Sequence, residues 1–149
     1  MPRVAIPAKL RMTAGEPRDG EVYVMERVPQ HVGPETPLDM LNRPEGFFPF
    51  RPQGDGSVLL VAKSRTVTLT VSPTPEDTAR SSAAKHASFV VTLADGSELS
   101  GSATLELPAH HSRLLDYLNA SHALFFAIAA PDQVHIVNRA HVLYARPQD

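Results

Sequence analysis

Apolar and polar residues alternate over short runs that are separated by turn-forming residues, and a period of two predicts β-strands rather than helices. In the C-terminal half, residues 88–94 are rich in β-formers, and Asp95-Gly96 is the strongest hairpin signal of the chain. Residues 101–107 then return as a partly alternating strand that Pro108 stops. Residues 124–129 and 134–144 are the last two predicted strands, the second with a break expected near residues 138–140. The N-terminal half repeats the pattern more raggedly, over residues 8–12, 20–28, 47–50 and 58–71. Pro49 and Pro52 predict that the 47–50 strand lies at a sheet edge or is irregular, because proline cannot donate to a ladder. One short helix is expected between the strands of each half. The first is capped by Thr36 with Pro37 in its first position; the second is capped by Ser112 and ended near Leu118 by Asn119 in the left-handed conformation.

The two helices carry the same motif. Leu38, Asp39, Leu41, Asn42 and Phe48 recur as Leu115, Asp116, Leu118, Asn119 and Phe125 at a constant offset of 77 residues. The flanks agree once small loop differences are allowed: residues 26–29 match 105–108, and 58–63 match 134–139. The expected fold is therefore mainly β with short helices (α+β), a tandem duplication of a strand-strand-helix-strand-strand unit, small barrel or sandwich-like. The first copy spans residues 1–71, a linker with Pro73, Pro75, Glu76, Asp77, Ser81 and Ser82 spans 72–86, and the second copy spans 87–149.

A helix of about two turns is too short to be stable alone and must be held by packing. Leu38 with Leu41, and Leu115 with Leu118, supply an apolar stripe, while Asp39 and Asp116 fall near the helix starts, where a carboxylate meets free N–H groups. Two readings of the repeated polar residues stay open. Capping and solvation account for the aspartates; alternatively Asp39, Asn42, Asp116 and Asn119 converge across a pseudo-twofold axis into one polar site.

Two strands, then Leu-x-x-Leu-Asn, a Phe-containing strand and a final Val-rich strand resemble a family of small bacterial domains with no assigned function. The residues that carry the resemblance are 115–119, 124–128 and 134–142, and more weakly 38–42 with 47–50. The resemblance implies a bacterial setting and a fold unit present as two tandem copies, with no catalytic residues to carry over. The element order is also broadly similar to small Sm-like or SH3-like barrels, a likeness of fold that does not establish function.

Composition narrows the function classes. An apolar fraction of 42% and a charged fraction of 20% are those of a globular chain. A net charge of -2 disfavours nucleic acid as a partner, and zero cysteines exclude disulfides, thiolate nucleophiles and Cys-ligated metals. The start of the chain has no long apolar run of signal-peptide type, and no stretch approaches the roughly 20 apolar residues of a membrane span, so a cytoplasmic protein without membrane association is expected.

Candidate chemistry is sparse. His31, His86, His110, His111, His122, His135 and His141 include no pair with metal-ligand spacing on a helix or strand, so no metal and no cofactor are expected. Neither a nucleophile elbow nor a glycine-rich phosphate cradle is present, and an enzyme is not expected. Arg51, Lys63, Arg65 and Arg139 near Phe47, Phe48 and Phe50 offer a basic, aromatic face for RNA or single-stranded DNA. The leading expectation is a non-enzymatic protein-interaction or scaffold module, its copies packed about an approximate twofold and its edges, Phe47 and Phe50 among them, open to a protein partner or a homo-oligomer. The alternatives are a small-ligand or nucleotide sensor binding between the copies, and nucleic-acid binding.

Overall fold

In the computed structural model, which describes residues 3–26, 35–74, 85–105, 114–120 and 123–148, ten strands join edge to edge in one unclosed antiparallel sheet. The N-terminal half contributes β1 (Arg3–Met12), β2 (Arg18–Met25), α1 (Pro37–Leu41), β3 (Phe47–Pro52), β4 (Leu59–Ala62), a 3-10 turn (Lys63–Arg65) and β5 (Thr66–Val71). The C-terminal half follows with β6 (Lys85–Leu93), β7 (Glu98–Leu105), α2 (Leu114–Ala120), β8 (Phe125–Ala129), β9 (Val134–Asn138), a 3-10 turn (Arg139–His141) and β10 (Val142–Gln148). The order across the sheet is β10-β6-β7-β8-β9-β5-β1-β2-β3-β4.

Local chemistry accounts for the elements. Gly96 takes φ +89° at the β6–β7 hairpin, and Asp95 accepts from the Ser97 N–H at 3.0 Å to close it. Thr36 and Asp39 form a reciprocal capping box at α1, with Pro37 in its first turn. Helix α2 runs through Asn119 to Ala120, so that asparagine does not end the helix in a left-handed conformation as expected. Ser112, the expected cap, lies outside the described residues.

The expected 58–71 strand is broken. Lys63 turns inward, its Nζ donating to Met40 O at 3.3 Å and Arg43 O at 3.0 Å, while Thr66 Oγ1 donates to Ala62 O at 3.0 Å. These bonds hold a tight turn that no alternation pattern announces. Strand β3 is also not an edge: it lies between β2 and β4. It meets β2 only through Phe50–Pro52 and β4 only through Phe47–Phe50, so each proline stands where one side of the strand is open.

Within each half the strands follow one order, β5-β1-β2-β3-β4 and β10-β6-β7-β8-β9. The registers also match residue by residue. Phe47↔Ala62, Phe48↔Val61 and Phe50↔Leu59 in the first half stand as Phe125↔Asn138, Phe126↔Val137 and Ile128↔His135 in the second. A register shift between Arg11 and Met12 against β5 has its like between Val142 and Tyr144 against β6. Positionally, Phe47 therefore corresponds to Phe125 and Phe48 to Phe126, one residue away from the alignment the sequence suggested.

The halves meet through β5 and β9, in the register Thr68↔Val137, Leu69↔Ile136, Thr70↔His135 and Val71↔Val134. These strands are not counterparts of each other, so the join is head to tail and not the approximate twofold expected. Side chains cross it in both directions. Phe125 and Ile136 complete the N-terminal core with Leu41, Phe48, Phe50 and Leu69, whereas Val67 enters the C-terminal core with Phe89, Val91, Phe126 and Val137. The expected linker, 72–86, ends earlier than expected, with Lys85 and His86 already in β6; residues 75–84 lie outside the described residues.

Candidate interaction edges

An antiparallel sheet of ten strands that does not close ends on two strands, each with one row of backbone groups facing outward. Among the described residues, β4 pairs only with β3, and β10 only with β6. Both ends carry exposed apolar side chains, and β10 also exposes Arg146, Pro147 and Gln148. Val58, Leu59 and Leu60 line the β4 end with exposures of 40%, 36% and 75%, and Leu143 and Tyr144 line β10 with 57% and 55%. Phe47, beside β4, is 64% exposed.

Of the polar residues singled out in the motif, Asp39 closes its own helix cap, and Asp116 stands half-buried in the first turn of α2. Asn42 reaches across to the other half: its Nδ2 donates to Phe125 O at 3.2 Å, and Phe125 N–H donates to its Oδ1 at 2.9 Å. Asn119 is exposed. Among the described residues, two of the cavities lie mainly along the N-terminal half. One of about 220 Å³ is lined by Met40, Arg43, Phe47 and Lys63, and an open groove of about 700 Å³ by Lys9, Asp19, Glu21, Arg51 and Gln133. None of the four motif residues lines either one.

The basic, aromatic face does not assemble as expected. Phe50 and Phe48 are core residues, 0% and 2% exposed, because alternation turns them inward and leaves Phe47 outward. Lys63 is buried against carbonyls at the C-terminal end of α1 and just beyond it, and burial pushes its amine below the ordinary value. Arg139 plays the same part beside α2: its Nε donates to Ala123 O at 2.8 Å, a terminal nitrogen donates to Leu118 O at 2.6 Å, and its guanidinium lies 5.1 Å from the Phe126 ring centre. Arg51 and Arg65 are exposed.

Sequence reasoning missed a buried ion pair. Glu35, 5% exposed, accepts from Arg43 Nε at 2.6 Å and from the Met25 N–H at 2.9 Å. Burial alone would raise its carboxyl, but these donors outweigh it and hold the group below the usual carboxylate value. The two residues lie outside α1, one on each side of it, so no helical or strand period links them in the sequence. Among the histidines, His135 shares a 2.9 Å hydrogen bond with Thr70 Oγ1 across the β5–β9 join, and His141 Nε2 lies 2.9 Å from Ser64 O. His31, His110, His111 and His122 lie outside the described residues. Among the described residues no three His, Asp or Glu side chains gather where they would hold a metal, and no helix is long and apolar enough to cross a membrane. Compared with known proteins, the chain matches no family model, no curated protein and no solved structure.

Proposed function

We propose that this protein is a non-enzymatic assembly module that works by strand addition at its two open sheet edges. The observation that carries this reading is the coincidence, among the described residues, of backbone with no neighbouring strand and exposed apolar side chains, Val58, Leu59 and Leu60 at one end and Leu143 and Tyr144 at the other. Soluble proteins normally blunt such edges with charge or a covering element, and an apolar edge left open is a template for another strand. The module is a tandem duplication of one unit in which a 3-10 turn separates the last two of five strands, an order like that of small Sm-like or SH3-like barrels. Its setting is the bacterial one that the resemblance implies, with the cytoplasm as its compartment. Lys63 and Arg139 serve the fold by holding helix ends, which leaves little of the basic face for a polynucleotide.

The test is affinity capture from the source organism with the natural chain and with Leu60→Lys and Leu143→Lys variants. Both positions are exposed, so the variants keep the fold. The captured strand partner is expected to be lost with one or both variants, and capture unchanged in both would refute edge addition.

A further inference from the structure

Resting on that reading of the edges, we infer that the strand each edge takes belongs to a second copy of this chain: β4 of one molecule pairs with β10 of the next, head to tail. The join already exists once inside the molecule. Strand β9 holds in its half the place that β4 holds in the other, and β10 holds the place of β5. The sheet therefore ends on the counterparts of the two strands that are paired at its middle.

Burial at the internal join shows what its counterparts lack. Ile136 is 1% exposed and its counterpart Leu60 is 75% exposed; Val67 is 7% and Leu143 is 57%; Phe125 is 1% and Phe47 is 64%. In these three pairs an apolar residue sealed at the β5–β9 join is matched by an apolar residue standing open at a free end, whereas Val137 and its counterpart Val61 are both buried. Carrying the internal register over places Tyr144 opposite Val61, Ala145 opposite Leu60 and Arg146 opposite Leu59. Pro147, the counterpart of Val71, limits the ladder at its end. The repeated asparagine fits the same scheme. Asn42 clasps the backbone of Phe125 across the internal join, and the exposed Asn119 is set to clasp the backbone of Phe47 in the next molecule.

The two joins are not equal. Asn138 Nδ2 donates to Lys63 O at 3.1 Å and Thr66 O at 2.9 Å across the internal join, and its counterpart is Ala62, whose side chain has nothing to donate. The Thr70–His135 bond is replaced by Arg146 facing Leu59. Association between molecules is therefore reversible and concentration-dependent. Because the contact joins unlike surfaces, it does not stop at a twofold dimer but continues to a closed ring or an open filament.

Light scattering and native mass spectrometry of the purified chain, over about a hundredfold range of concentration, test this by mass action. The natural chain is expected to rise above the mass of one chain. Leu60→Lys and Leu143→Lys, which block opposite edges, are each expected to stay at one chain with an unchanged melting temperature when compared in the dilute, dissociated state. An equal mixture of the two is expected to form a two-chain species and nothing larger, since one open edge of each kind remains. A natural chain that stays single throughout, variants that self-associate like the natural chain, or a mixture that fails to pair would each overturn self-assembly. A single natural chain whose edge variants still lose a different captured protein would sink self-assembly and leave strand addition standing. If the edge variants also capture unchanged, both readings fall.

Discussion

Asn42 and Asn119 occupy the same motif position and meet opposite surroundings, so truncating each to alanine separates tertiary from local effects. Asn42 supplies both partners of the Phe125 main chain, accepting from its N–H at 2.9 Å and donating to its carbonyl at 3.2 Å. Phe125 itself is 1% exposed. An unsatisfied buried group costs about 1–3 kcal/mol, and the half-buried position of Asn42 lets water reach part of the gap, so Asn42→Ala should cost about 2–3 kcal/mol in total. Asn119 is exposed, and Asn119→Ala should change monomer stability by no more than about 0.5 kcal/mol. Urea unfolding at a concentration where the chain is single measures both. With a slope of about 1–3 kcal/mol per molar urea, the Asn42→Ala midpoint should fall by roughly 1 M while that of Asn119→Ala stays in place. Equal midpoints for the two variants would refute the assignment of Asn42 as the clasp between the halves. Under head-to-tail assembly Asn119→Ala acquires its own phenotype, a rise in the concentration needed for association.

Three further outcomes are expected. A Cβ at Gly20 would lie 2.2 Å from Arg51 O, and one at Gly101 2.5 Å from Ala129 O, so alanine at either position forces backbone apart. Each should cost roughly 2–3 kcal/mol and lower the melting temperature by about 5–10 °C, with Gly56→Ala, which meets nothing within 4 Å, as the neutral control. Arg139→Met should cost about 2 kcal/mol in urea unfolding by stripping donors from Leu118 O and Ala123 O, and an unchanged midpoint would return Arg139 to the surface face the sequence suggested. Burial holds the His135 pKa below the ordinary 6.5, so the unfolded chain takes up a proton that the folded chain refuses as pH falls through 6.5. Stability from this group is present above that value and is lost on acidification toward the folded pKa. The decline between pH 7.5 and 5.5, read from urea midpoints, should be shallower in His135→Gln, and an identical decline would remove His135 as its source.

Much of the local structure was legible in the chain. Asp95-Gly96 marked a hairpin and Thr36-Pro37 a helix start because a turn or a cap is decided by residues a few positions apart, whose preferences act without the rest of the fold. The Leu-Asp-x-Leu-Asn motif at two places likewise pointed to two similar helices, and α1 and α2 form there. What escaped depends on contacts between distant residues. The 3-10 turn at Lys63 forms because its ammonium finds carbonyls 20 and more residues earlier in the chain. The β5–β9 join, and with it the asymmetry between Asn42 and Asn119, is a choice among strands whose backbone edges are chemically alike. Alternation tells which side chains of a strand share a face, but not which strand comes to lie beside it. Phe47 and Phe125 stand at matching register positions in similar strands, yet Phe125 is covered and Phe47 is open because β9, the partner of Phe125, is joined onward to β5 and the other half, whereas β4, the partner of Phe47, ends the sheet. Pattern fixed the strands and helices, and the pairing of strand edges across 60 and more residues decided which of their residues became core and which became surface.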